Sequence, residues 1–264
     1  MKDKVAFFGF FVLLVHAVVG CFAVEERIDL GRFTQGALVR IIQEASHYDS
    51  ASEKIDFISR HFIDLPYQEG TLGGAEAARE ILTLNLAWLD CFTYLDYVEA
   101  LRLSSRYEEI KGNLIRVRYK EGEISYQSRK HFFSDWPDSD SDRIKDVTQA
   151  VGGVTAISVK KFLNKKADGT RHMAGIPVVA RIITYIPSDA ITQAVTARLK
   201  AGDYVSAYSH QAGLDVSHTG IVIKKENTLY LRHASSRKEN RRVVDEKLVS
   251  YFTSKPGMIV YRAL

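Results

Sequence analysis

The apolar residues of this chain recur every three or four positions through its first half, and at every second position through much of its second half. Helices are therefore expected first and strands later. Leu38, Ile41, Ile42 and Ala45 mark a helix over 34–46, and Ile55, Phe57, Ile58 and Phe62 mark a second over 52–62 with Ser52 as its N-cap. Leu65-Pro66-Tyr67 and the glycines Gly70, Gly73 and Gly74 then break the chain. Leu82, Leu84, Leu86 and Trp88 alternate with Thr83, Asn85 and Ala87, an extended segment running into Asp90-Cys91. Beyond it Tyr94, Leu95, Val98 and Leu101 share one helical face, which puts Cys91 in the first turn of a helix capped by Asp90. Residues 113–120 and 123–127 are expected as a hairpin around Glu121-Gly122, and 203–208, 217–223, 228–234 and 258–262 as further strands. Residues 138–200 read as an irregular insertion with one helix near 188–200. Helices followed by antiparallel strands, with no Pro/Gly/Ser linker between Glu25 and Leu264, predict a single α+β domain over residues 24–264.

A net charge of +4 without a basic stripe argues against a nucleic-acid partner. At the N-terminus Lys2 and Lys4 precede an apolar run that ends at Gly20. The run is short for a membrane span and reads as a secretory signal over residues 1–23. Cys21-Phe22-Ala23 offers a cleavage site, whereas Val18-Val19-Gly20-Cys21 resembles a lipobox that would leave Cys21 lipidated. The chain is thus expected to be exported, either periplasmic or anchored on the periplasmic side of the outer membrane, with a lipid on Cys21 as its membrane contact. Cys21 and Cys91 are its two cysteines, so once Cys21 is removed or lipidated no disulfide framework can form, although the compartment would permit one. Cys91 is left as a thiol to be explained.

Thiolate is the reactive form of cysteine, and a free thiol has a pKa of about 8.5. The unpaired N–H groups and positive dipole end at a helix N-terminus favour that anion. Cys91 has this setting, and its own N–H could face a developing oxyanion. A buried structural cysteine is the plain alternative, and a base must decide between them. His47, His61, His172 and His210 sit in polar or turn-like sequence, while His218 and His233 sit in two expected strands. If Lys224–Asn227 forms a four-residue loop, Ile223 pairs with Thr228 and His218 stands opposite His233, with Cβ atoms about 5 Å apart. One imidazole would take the thiol proton while the other holds its tautomer. Chance pairing of two surface histidines competes with this reading, and a loop one residue longer or shorter breaks it. Gly220 leaves room on the same face for a substrate or a helix end.

Asp90-Cys91 opening a helix, the later Ser217-His218-Thr219-Gly220-Ile221, and a histidine on the following strand resemble the NlpC-type cell-wall peptidases of the papain-like superfamily. The chain is more similar still to their N-acetylmuramoyl-L-alanine amidase-like branch. That likeness is carried by Leu65-Pro66-Tyr67-Gln68-Glu69-Gly70-Thr71-Leu72, His131-Phe132-Phe133-Ser134-Asp135-Trp136, Gly202-Asp203-Tyr204-Val205 and Leu214-Asp215-Val216-Ser217-His218, and it spans roughly residues 35–262. The resemblance implies a papain-like fold, with N-terminal helices packed on a central antiparallel sheet and a single catalytic domain carrying an insertion. It implies Cys91 as nucleophile, His218 as general base and His233 as the residue that orients it. Tyr67, Asp90, Trp136 and Ser217 are implied as substrate-pocket positions, with no metal and no other cofactor. Phe92-Thr93 departs from the Ser-Gly that the broader superfamily carries beside the nucleophile, which puts a simple transfer of that superfamily's pocket in doubt.

The implied substrate is peptidoglycan or a muropeptide, cut at the lactyl amide between muramic acid and L-alanine, and the protein is expected to be a monomer. A stem-peptide endopeptidase, cutting between D-glutamate and the diamino acid, stays open. So does a non-catalytic muropeptide-binding module using Lys160, Lys161, Lys165, Lys166 and Arg171, or Arg237, Lys238, Arg241 and Arg242. A zinc amidase built on His210, Asp215 and His218 has weak ligand spacing and lacks an H-E-x-x-H motif.

Overall fold

The computed structural model describes residues 25–73 and 79–264; the expected signal segment and the lipobox at Cys21 lie outside the described residues. A short strand β1 (Glu26–Asp29) leads into helices α1 (Gln35–Ala45) and α2 (Ala51–Arg60), followed by β2 (Leu82–Asn85), α3 (Cys91–Arg102) and α4 (Tyr107–Arg118). Thr34 caps α1 through its hydroxyl, and Leu38, Ile41, Ile42 and Ala45 form its buried stripe, as their spacing predicts. The cap of α2 is Ser50 rather than Ser52. Its hydroxyl accepts from the Glu53 N–H, and the Glu53 carboxylate accepts from the Ser50 N–H, a reciprocal pair that fixes the start of the helix.

One expectation fails here for a physical reason. The hairpin around Glu121-Gly122 does not form, because the chain is helical up to Arg118. Ile110, Leu114 and Val117 are buried at helical spacing, Glu108 and Glu109 occupy the first turn, and Arg116 and Arg118 the last, as the helix dipole favours. Leu82–Asn85 is a strand, but all four of its residues are buried, since it pairs in parallel with β1 and packs among helices; Trp88 is 39% exposed.

The remaining elements are α5 (Asp135–Ser139), β3 (Ile144–Asp146), α6 (Thr148–Gly152), β4 (Ile157–Leu163), β5 (Val179–Pro187), α7 (Gln193–Thr196), β6 (Tyr204–Tyr208), β7 (Val216–Lys225), β8 (Thr228–Ala234), β9 (Val243–Lys247), α8 (Leu248–Phe252) and β10 (Gly257–Ala263). Their strands build one antiparallel sheet in the order β4-β5-β10-β6-β7-β8-β9, with β3 also paired to β10. The segment 138–200 is therefore not an irregular insertion. β4 and β5 form a ladder from Ile157↔Tyr185 to Leu163↔Val179, and β5 joins the sheet through β10. An apolar Phe162 on the exposed face and a buried Lys161 on the other blur the alternation of residue types that would have announced β4. The helix expected near 188–200 is only the four residues of α7.

Both faces of the sheet are covered. Ile221, Ile223, Tyr204, Ile259 and Tyr261 pack with Leu38, Ile58, Leu95 and Val98 of the N-terminal helices. Val205, Val222, Leu231 and Val260 pack on the other face with Val151, Leu248 and Phe252. The result is a mixed α/β fold with a mostly antiparallel sheet, against which α3 packs beside β7 and β8.

Candidate active site

Asp90 is extended (φ −97°, ψ −178°), and its Oδ1 accepts from the N–H groups of Phe92 at 3.0 Å and Thr93 at 2.8 Å. Thr93 Oγ1 returns the bond by accepting from the Asp90 N–H at 2.9 Å. This box makes Cys91 the first residue of α3, as the sequence predicts. The Thr219 hydroxyl, one residue beyond His218, donates to the Cys91 carbonyl at 2.8 Å and ties the first turn of α3 to β7. Cys91 stays partly exposed as a residue, but its sulfur is desolvated. Burial above all, then the neighbouring Asp90 charge, pushes the thiol up to about 12, against the N–H and hydroxyl of Thr219 and the N–H of Cys91 itself, which favour the anion. At rest the sulfur is a neutral thiol.

The two histidines come together, but not in the expected register. The β7–β8 turn is the two residues Glu226-Asn227, with Glu226 at φ 52°, so Lys225 pairs with Thr228 and Ile221 with Arg232. The pairing is shifted by two positions from that predicted. An even shift keeps side chains on the same face, so His218 and His233 become diagonal neighbours instead of direct opposites. Carried one step further, the same register sets Gly220 across from His233, where a Cβ would come within 3.0 Å of His233 Cβ. Glycine at this position is what lets the strands close around the pair. His218 Nε2 and His233 Nδ1 are 2.7 Å apart, with the rings nearly perpendicular at 88°.

Both imidazoles are held neutral at pH 7. Burial, followed by Lys255 and Arg237, lowers His218 to about 4. Burial, followed by His218 and Arg237, lowers His233 to about 3, while the nearby Asp245 charge pulls the other way. His233 Nε2 lies 3.1 Å from Glu246 Oε1 on β9, and Arg237 donates to Glu246 Oε2 at 2.8 Å. The Tyr251 ring of α8 closes the group from above, 5.2 Å from His233 and 6.0 Å from His218.

The expected pocket positions divide. Tyr67 is part-buried, its ring covered by the Arg241 guanidinium at 5.2 Å, and burial together with the Cys91 charge raises its phenol to about 12. Burial, followed by Cys91, raises Tyr251 in the same sense, so both phenols remain protonated donors. Asp90 caps α3 and lines a hollow of about 170 Å³ with Gly70, Leu72, Phe92 and His131. Ser217 is exposed at a β-bulge, where Tyr208 pairs with Val216 and Ala207 with His218. Trp136 is a buried side chain. It is 1% exposed, edge-on to Tyr204 at 5.1 Å and 5.9 Å from the ring of Phe92, the bulky residue beside the nucleophile.

Sequence reasoning missed Glu246, Tyr251 and the role of Thr219. Thr219 sits inside the motif that flagged His218 and was there to be read. Glu246 could be found only through strand register, since it pairs with Leu231, on the same face as His233. The alternative ligand set does not assemble. Asp215 is buried and accepts from the Ser134 N–H at 2.8 Å, His210 is exposed beside Tyr208, and among the described residues no group of three His, Cys, Asp or Glu is placed to hold a metal.

Residues 57–258 match the AmiA-like family, described as N-acetylmuramoyl-L-alanine amidase-like. No curated protein matches the chain. Among solved structures it is similar to a Legionella pneumophila protein of the DUF1460 family, with a TM-score of 0.73 and 23% identity over 87% of this chain and 94% of that one. An N-acetylmuramoyl-L-alanine amidase from Bacteroides uniformis is similar at a TM-score of 0.68 and 23% identity, over 81% of this chain and 98% of that one. A Bacteroides fragilis protein provisionally named a xylanase is similar at 0.63 and 28% identity, over 78% and 99% of the two chains.

Proposed function

Because the chain belongs to the AmiA-like, N-acetylmuramoyl-L-alanine amidase-like family, we propose that it is a cysteine amidase cutting the lactyl amide between muramic acid and L-alanine in peptidoglycan fragments. In this reading the arrangement around Cys91 is papain-like, and the protein works outside the cytoplasm after export by residues 1–23. The observation that carries the proposal is the run Glu246–His233–His218, ending at the strand position next to the residue that bonds Cys91.

His218 Nδ1 has no hydrogen-bond partner among the described residues, and it is the nitrogen proposed to take the Cys91 proton. The sulfur attacks the amide carbonyl, and the tetrahedral oxyanion is met by the Cys91 N–H and by a phenol, Tyr67 or Tyr251. His218 returns its proton to the leaving L-alanine nitrogen, which departs as an amine and leaves a muramyl thioester on Cys91. Water, deprotonated by His218, then attacks the thioester and releases the muramyl carboxylic acid and the free thiol. Burial keeps both the thiol and the imidazole uncharged at rest, so in this reading the proton passes to His218 as the sulfur attacks.

Mass spectrometry of purified muropeptides after incubation tests the reading. Free stem peptide beginning at L-alanine, together with intact N-acetylmuramic acid, is expected. Cleavage between D-glutamate and the diamino acid would move the assignment to a stem-peptide endopeptidase, and unchanged masses with measurable binding would make the protein a muropeptide-binding module.

A further inference from the structure

We propose that Glu246 is a positioning residue that sets the tautomers of both histidines, so that His218 offers a bare Nδ1 to Cys91; the inference rests on the cysteine reading of this site. A carboxylate can only accept a hydrogen bond. With Glu246 Oε1 3.1 Å from His233 Nε2, that nitrogen must carry the proton. His233 is neutral, so its Nδ1 then has only a lone pair and must accept. The 2.7 Å contact to His218 Nε2 therefore requires that nitrogen to be the donor, which leaves Nδ1 of neutral His218 unprotonated. One carboxylate fixes two rings in sequence, and the second ring emerges in the form that a general base needs.

Without Glu246 the direction of this chain is free. A proton on His233 Nδ1 would make His218 Nε2 an acceptor and place a hydrogen on His218 Nδ1, where it blocks proton uptake. Glu246 is itself held: Arg237 donates to its Oε2 at 2.8 Å, and the Asn240 amide nitrogen lies 3.5 Å from its Oε1. His233 is also faced by His218 from β7, Asp245 from β9, Lys255 from beyond α8 and the Tyr251 ring. Of these, Glu246 is the one acceptor bonded to His233 Nε2. The side chain of Glu246 is only 20% exposed, in line with a fixed carboxylate rather than a mobile surface one.

The test uses the full chain labelled with ¹⁵N in histidine, carrying Cys91→Ala so that no turnover disturbs the spectra. Wild-type Glu246 is expected to show His218 protonated at Nε2 and bare at Nδ1 at pH 7. Glu246→Leu should mix the two His218 tautomers and, in the Cys91 background, lower kcat by roughly 10²- to 10⁴-fold, the scale of a base held in the wrong tautomer. Glu246→Gln keeps the shape, but with its amide oxygen held by the Arg237 guanidinium it turns the NH2 group toward His233 Nε2, so it should reverse the donor order, place the proton on His218 Nδ1 and lower kcat as Leu does. A His218 tautomer unchanged in Glu246→Leu, or a Gln variant that keeps both the wild-type tautomer and the wild-type turnover, overturns the proposal. The ring-nitrogen signal does not depend on catalysis. Failure of the cysteine reading would therefore show as hydrolysis surviving Cys91→Ala, and failure of this inference as tautomers indifferent to Glu246.

Discussion

Acidification should unfold this protein through its histidine pair, by an amount that follows from the site. His218 has an ordinary pKa of 6.5 in the unfolded chain and about 4 in the folded one. Between those values the unfolded chain binds a proton that the folded chain refuses, so stability is full above 6.5 and falls as pH drops toward 4. At pH 5 the difference is about 2 kcal/mol for His218. His233, 1% exposed and lowered to about 3, contributes a similar amount, reduced by the Glu246 carboxylate at its Nε2. The pair therefore costs up to about 4 kcal/mol, a large share of the roughly 5–15 kcal/mol that holds a typical protein folded. Urea unfolding at pH 7.5 and 5.0 measures the loss, and His218→Asn provides the comparison, because other groups titrate alike in both proteins. The variant should lose about 2 kcal/mol less than wild type over this interval. Equal losses in the two proteins would refute the claim that burial holds these rings neutral.

Three further outcomes follow from the same geometry. His218→Ala should reduce muropeptide hydrolysis by roughly 10³-fold or more and His233→Ala by less, since the base acts on the thiol and its neighbour only orients it; equal initial rates in both variants would contradict these roles. Gly220→Ala places a Cβ 2.6 Å from Leu231 Cδ1 and 2.9 Å from the Arg232 carbonyl, so thermal denaturation should show a loss of about 1–3 kcal/mol together with lowered kcat. The pH profile of kcat/KM should stay level from neutrality down to about pH 5 and fall only as His218 protonates near 4, whereas an unperturbed histidine base would bend the profile near 6.5.

The legible parts of the sequence were those governed by local rules. Thr34, Asp90 and the apolar stripe of α1 each act within one turn of helix, and their neighbours in sequence are their neighbours in space. The His218–His233 pair was legible in part, because strand parity survives a register error of two, whereas the turn that set the register depended on Glu226 adopting a positive φ. α4 was misread because Asn113–Lys120 alternates at the same time as it keeps helical spacing, and the buried contacts of Ile110, Leu114 and Val117 decide between the two. β4 was hidden because Phe162 lies on its exposed face and Lys161 on its buried one, against the usual order of residue types. Glu246 lay beyond reach of the sequence, being joined to His233 by a pairing that passes through the irregular turn at Arg237–Arg241.

Comparing wild type with Cys91→Ala on one purified muropeptide, by the masses and initial rates of the released fragments, bears most directly on whether this sulfur does the chemistry. The account predicts that wild type liberates stem peptide beginning at L-alanine, and that the variant, folded and still binding the muropeptide, releases it at least roughly 10³-fold more slowly. Release by Cys91→Ala at the wild-type rate would contradict it.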